Sequence, residues 1–150
     1  MSVAEESELS RDEVDDFLGS QETGVLSLAK GDDPYAIPVS YGYSTGDRRF
    51  YFRLVSTPES EKRRYLGSSP HGRVVVYDEG DGEYTSAVAE GVLEEIRRDE
   101  LDVHHVEQYG DAKRPLFEIW GADKADLDVG LYEMDARSLT GRHVVVDRTD

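Results

Sequence analysis

The chain has 150 residues, no cysteine, and 33 acidic against 17 basic residues, for a formal net charge of −16. That length suits one domain with one hydrophobic core, expected to span 1–150 with residues 1–8 flexible. The missing thiol excludes disulfides, thiolate catalysis and zinc–thiolate sites, and so acidic a surface repels nucleic-acid phosphates and anionic membranes.

The first signal along the chain is a capping box. Ser10 can accept from the Glu13 amide while Glu13 reaches back to the Ser10 amide. Val14, Phe17 and Leu18 follow at helical spacing and Gly19 can close the helix, so residues 10–19 are predicted as a short amphipathic helix. Thr23 to Lys30 then reads as a strand. Gly31-Asp32-Asp33-Pro34 is turn chemistry. Tyr35 to Tyr43 (YAIPVSYGY) is a second strand, and Pro38, which cannot donate to a ladder, predicts a sheet edge or a bulge there. Thr45-Gly46-Asp47 turns into a third strand, Arg48 to Val55, to give a meander.

Thr57-Pro58-Glu59 is a helix start, and that helix runs through SEKRRYL to Gly67. Arg73 to Tyr77 (RVVVY) predicts a strand buried on both faces. Asp78 to Glu83 reads as a loop, and Tyr84 to Ile96 as a long strand bent or bulged at Gly91. Asp99 caps a second predicted amphipathic helix carrying Leu101, Val103, Val106 and Tyr109, ending at Gly110. Residues 111–128 give no single reading. Val129 to Asp135 and His143 to Asp147 finish the chain as strands. Many short strands joined by tight turns, with few helices, imply a mainly β fold with peripheral α, built as an antiparallel barrel or sandwich. A parallel doubly wound sheet is disfavoured.

The charge has a further reading. Only Lys30, Lys62, Lys113 and Lys124 are lysines, and the other basic residues are arginines. At molar salt the Debye length falls to about 3 Å, which screens carboxylate repulsion. A halophilic protein of haloarchaeal type is therefore expected, with an ordinary acidic protein as the plainer reading. No apolar stretch approaches the roughly 20 residues of a membrane span, and MSVAEESELS lacks a secretory layout, so a cytoplasmic location is expected.

Three segments resemble the FMN-binding split barrel of the pyridoxamine 5'-phosphate oxidase-like superfamily. YAIPVSYGY (35–43) is similar to its second strand. FYFRLVSTPESEKRRYL (50–66) is similar to the strand and short helix that hold the flavin phosphate. YTSAVAEGVLEEI (84–96) is similar to the long strand beneath the isoalloxazine ring. The resemblance covers roughly residues 8–100. It implies a split β-barrel, Greek-key-like, that binds FMN at a homodimer interface and works as an oxidoreductase on a small substrate.

By matching position, the resemblance assigns Ser60 and Lys62 to the phosphate. A helix N-terminus and a fixed cation suit a dianion there, and Arg53 could close on the same group. Backbone groups of Val39 and Ser40 would serve the pyrimidine edge of the ring. Ser86 would face the ring, and Trp120 could stack on it across the dimer. No catalytic side chain and no metal are expected, because the cofactor carries the redox chemistry. Glu61 stands where the pyridoxamine phosphate oxidases carry an arginine. Their arginine-rich C-terminal segment has no counterpart here, which argues against vitamin B6 oxidation itself.

Plainer readings stand beside these. Lys62, Arg63 and Arg64 also suit ion pairs with Glu59 and Glu61 on a solvated helix. Arg53 and Ser86 also suit ordinary strand surface, and Trp120 suits core or interface. His104 and His105 point about 100° apart on a helix and cannot chelate one ion together. A deazaflavin reductase, a non-catalytic flavin-binding module, and a haem protein using His71, His104, His105 or His143 complete the alternatives.

Overall fold

The computed structural model describes residues 3–56, 65–66, 70–100, 103 and 128–147. Eight strands and one helix carry them, namely β1 (Val3–Glu8), α1 (Arg11–Ser20), β2 (Thr23–Lys30), β3 (Asp33–Ser44), β4 (Arg49–Ser56), β5 (His71–Gly80), β6 (Glu83–Glu95), β7 (Asp128–Asp135) and β8 (Ser138–Asp147). A single 3-10 turn, Arg98–Glu100, follows β6.

All the pairings are antiparallel, in the order β1-β8-β6-β5-β2-β3-β4-β7, with β7 also returning to β6. Strands β6, β5, β2, β3, β4 and β7 therefore close a ring, and β8 and β1 branch from it. The fork lies in β6. One edge of this strand pairs with β8 over residues 83–90 and with β7 over residues 93–95. This is a split β-barrel.

Gly91 sits at the fork. Its register with Gly72 on β5 is unbroken, so the predicted bulge is absent on that side. The backbone oxygen of Asp135 instead packs against the Gly91 Cα, in the space a Cβ would occupy. The glycine lets the end of β7 cross close over β6.

Inward positions alternate along the strands of the ring and fill it, and Tyr51, between Phe50 and Phe52, is buried as well. Leu26, Leu28, Phe50, Phe52, Leu54, Val74, Val76, Ala87, Ala89, Leu93 and Met134 are all buried. The Phe50 and Phe52 rings lie parallel with centroids 6.1 Å apart, and Tyr41 and Tyr43 tilt against Phe50. Helix α1 adds Val14 and Leu18 to this core. The Tyr41 hydroxyl donates to the Leu18 carbonyl at 2.7 Å, and burial pushes that phenol above its usual range. The capping box forms as the sequence predicts. The Glu13 amide donates to Ser10 Oγ at 3.2 Å and the Ser10 amide donates to Glu13 Oε1 at 2.8 Å.

Two tight turns set the hairpin registers. At Gly31-Asp32 only the glycine has positive φ, at 61°, as a type II' turn requires. At Asp81-Gly82 both residues do, at 51° and 79°, which marks type I'. Counting outward from the first turn, Pro34 and Pro38 fall at alternate, non-hydrogen-bonded positions of the β2 ladder. Their missing N–H groups thus cost that ladder nothing. Residues 33–40 pair with β2 alone, because the β4 ladder begins at Tyr41. Pro38 accordingly marks an edge, without a bulge.

Several expectations are corrected. Residues 3–8, expected to be flexible, form β1 along the whole outer half of β8. The loop expected over 78–83 narrows to two residues. The RVVVY run is buried on one face only, since Val75 is half-buried and Tyr77 is 66% exposed. Strand β8 starts at Ser138, five residues before the expected start. Val103 is helical but 75% exposed, against its expected inward place. The helix expected over 58–66 lies outside the described residues except at Tyr65 and Leu66, as do Ser60, Lys62, Trp120, His104 and His105.

A Gly91→Ala substitution is expected to cost about 1–3 kcal/mol, the usual cost of overpacking, read as a lower urea midpoint at unchanged slope. Gly80→Ala, with nothing within 4 Å of its added Cβ, is the near-neutral control. The capping box gives a pH dependence. The Ser10 backbone N–H, then its hydroxyl, holds Glu13 below its usual carboxylate range. Its stabilisation is present above the unfolded pKa and lost as pH falls through the folded one. The destabilisation caused by Glu13→Ala should therefore shrink when melting is repeated well below pH 4 (roughly the unfolded value).

Candidate functional site

Residues facing each other across an antiparallel pair share one face of the sheet. Five registers can be followed on that basis. Ser86 faces Arg142 on β8 and Tyr77 on β5. Two residues beyond Val25–Val75, the β2–β5 register sets Thr23 beside Tyr77. Thr23 faces Ser40. One residue beyond Tyr41–Phe52, the β3–β4 register sets Arg53 beside Ser40. Arg142, Ser86 and Tyr77 are paired directly, as are Thr23 and Ser40, and extending the β2–β5 and β3–β4 registers past their last pairs joins them with Arg53 into one cross-strand row.

This row lies on the outside of the barrel. Its chain neighbours Val76, Ala87, Val39, Tyr41, Phe52 and Leu54 all point into the core, so the row points away from it. Thr23, Ser40, Arg53 and Ser86 are half-buried and Tyr77 is exposed. A parallel row of half-buried apolar residues, Val25, Val75 and Val88, runs beside it on the same face. Neighbouring strands are roughly 4.8 Å apart, so the five strands from Ser86 to Arg53 cover about 19 Å of sheet. A polar row next to an apolar one suits a flat ligand with a hydrogen-bonding edge.

Three of the residues expected at the site, Ser40, Arg53 and Ser86, thus come from separate segments and share one row. Val39 differs. Its side chain is 5% exposed and belongs to the core. The Tyr41 amide donates to Glu22 on the β2 side, so by strand alternation Val39 also directs its backbone groups to β2. Those of Ser40 turn to the opposite edge. Thr23 and Tyr77 were not among the expected site residues. The alternation of RVVVY could have shown Tyr77 facing out, but a run of β-branched residues hides its own period.

Further along β5 and β6 from the row, the His71 imidazole and the Arg73 guanidinium approach Glu90 at 3.9 and 3.7 Å. His143 sits 3.0 Å from the Thr85 hydroxyl through Nδ1 and 3.8 Å from Glu83 through Nε2. Among the described residues, no three His, Asp or Glu side chains cluster to hold a metal ion. No helix among them is long and apolar enough to cross a membrane.

A ring closed through one forked strand defines the molecule as a split-barrel protein, and comparison with known proteins agrees. Residues 10–143 match the pyridoxamine 5'-phosphate oxidase family, and the chain belongs to it. Among solved structures, a FAD-binding protein from Mesorhizobium loti superposes with a TM-score of 0.72 at 26% identity, covering 92% of this chain and 97% of that one. A FAD-binding protein from Mycobacterium smegmatis gives 0.65 at 17% identity, covering 93% and 98%. A FAD- and haem-binding protein from the same species gives 0.62 at 17% identity, covering 96% and 74%. The last two likenesses are of fold alone. No curated protein matches the sequence.

The facing of the row is open to direct test in a chain without cysteine. Single variants Ser86→Cys and Tyr77→Cys should react with a thiol reagent far faster than Ala87→Cys, whose position is 1% exposed. Equal rates would mean that the β6 register is shifted or that a ligand or partner copy covers this face.

Proposed function

We propose that the chain is a flavin-binding oxidoreductase acting on a small substrate. The observation that carries this reading is the outward row, in which Ser40, Arg53 and Ser86 meet Thr23 and Tyr77 beside a strip of valines. The polar groups suit the hydrogen-bonding edge of an isoalloxazine ring, and the valines suit its apolar body. In this reading the Ser40 backbone and hydroxyl hold the pyrimidine edge, with Val39 fixing that stretch of β3 from the core. Thr23 and Ser86 donate from their hydroxyls and Tyr77 packs against the ring.

Ser60 and Lys62 are proposed for the phosphate, with Arg53 behind them and Trp120 stacking across the dimer. The bound flavin would supply hydride or electron transfer. The chain's own residues would orient the ring, exclude water from one face and fix the phosphate. No side chain need move a proton for that role. The half-buried Val25–Val75–Val88 strip and the exposed Tyr77 ring support a homodimer closing over this face, since apolar area left accessible on a sheet favours burial against a partner. A cytoplasmic, halophilic setting remains the proposal that the charge supports.

FMN is the form of flavin we propose. FAD is a second reading, favoured by the FAD-binding proteins of M. loti and M. smegmatis that share the fold. A deazaflavin is the third.

Purification in molar potassium chloride followed by an absorption spectrum tests this reading. Mass analysis of the flavin released on denaturation separates FMN, FAD and deazaflavin. Saturable quenching of added FMN fluorescence is expected, weakened roughly tenfold or more in Lys62→Ala, the usual cost of one charge-assisted phosphate contact. A well-folded protein that binds no flavin would sink the proposal.

A further inference from the structure

A cavity of about 360 Å³ lies away from the outward row, where the start of α1 meets the β3–β4 turn and the β7–β8 corner. Its described lining includes Arg11, Arg48 and Arg137 together with Leu9, Val14 and Leu139, and it contains no carboxylate. In a chain with 33 acidic residues against 17 basic ones, three guanidiniums around one cavity run against the composition.

The two sides of the cavity differ in what holds them. Asp15 engages Arg48 at 3.1 Å, while the Tyr43 hydroxyl donates to the other Asp15 oxygen at 2.6 Å. Arg48 is thereby fixed and partly neutralised. Its backbone is in the left-handed region, with φ 52°, where side-chain-bearing residues are uncommon. Its carbonyl accepts from the Ala136 amide at 3.0 Å, and the Arg137 amide donates to Glu90 at 2.8 Å. These bonds tie both corners of the cavity in place. Arg11 and Arg137 make no ion pair among the described residues. The apolar side is equally firm. Val14 is 3% exposed, and Leu9 and Leu139 pack against the core.

We infer that this cavity binds a small organic carboxylate with an apolar body. The carboxylate would lie between Arg11 and Arg137, where guanidinium forks match its two oxygens. The apolar body would lie on Leu9, Val14 and Leu139. The volume falls at the small end of ligand pockets. The site uses none of the residues assigned to the flavin and stands independently of that reading.

The test is calorimetric titration of the purified full-length protein with octanoate, with octan-1-ol and octylamine as neutral and cationic controls of equal chain length. Saturable binding of octanoate, stronger than of either control, is expected. It should weaken roughly tenfold or more in the double variant Arg11→Gln/Arg137→Gln, because two charge-assisted contacts are lost. A Val14→Phe variant, which fills the apolar side, should also lose binding while keeping the cations. Thermal melting and far-ultraviolet circular dichroism establish that each variant is folded before it is titrated. No saturable octanoate binding, equal affinity for octan-1-ol, or unchanged affinity in the double-glutamine variant would each overturn the inference.

Discussion

The structure depends on one close approach, that of the Asp135 backbone to the Gly91 Cα. A strand has two edges. On β6, β5 takes one edge over residues 83–92, and β8 and β7 divide the other between residues 83–90 and 93–95. They can share it only if the chain crosses at the boundary, and a Cβ at residue 91 would stand in the way of that crossing. With the crossing made, β7 closes the ring and the aromatic core around Phe50 and Phe52 is sealed. Strand β8 is then free to extend the sheet beyond the ring, which carries the outer face continuously from Arg142 to Arg53.

That outer face and the charge of the chain pull in different directions. Most of the surface is acidic, yet the row and the strip beside it hold hydroxyls, a phenol and valines, with arginines at each end. Arg142 is paired with Glu6 at 2.8 Å, and this contact also pins β1 to β8. On β4 and β7, Arg49 bonds to Asp135 and approaches Glu133 at 3.6 Å. Hydrogen bonding to Asp135 holds that guanidinium firmly protonated. Much of the described basic charge is thus paired across strands. Arg11 and Arg137 stand out against that background because they line the cavity, exposed and without an ion pair among the described residues.

Local chemistry made much of the fold legible. Ser10 and Glu13 announce the helix, and the span of β2 follows from its flanking turn residues. Where packing rather than local chemistry decides, the sequence was silent or misleading. VAEESE has few apolar residues, so nothing in it marks β1, which is held by backbone pairing to β8. The Asp81-Gly82 dipeptide was a hairpin signal submerged in a run of acids and glycines. The site was legible only in part. Ser40, Arg53 and Ser86 came from resemblance, segment by segment. Their meeting in one row, with Thr23 and Tyr77 in the gaps, depends on four registers that no single segment encodes. The cavity at the α1 and β7–β8 corner was not legible at all, since Arg11, Arg48 and Arg137 are far apart in sequence.

The outward row is proposed to hold a flavin ring. The most direct measurement is a map of backbone amide shifts by nuclear magnetic resonance as FMN is added to the labelled protein. Saturable changes centred on Thr23, Ser40, Arg53, Tyr77 and Ser86 are expected, with α1 undisturbed. Shifts centred elsewhere, or none at saturating FMN in a folded protein, would contradict it.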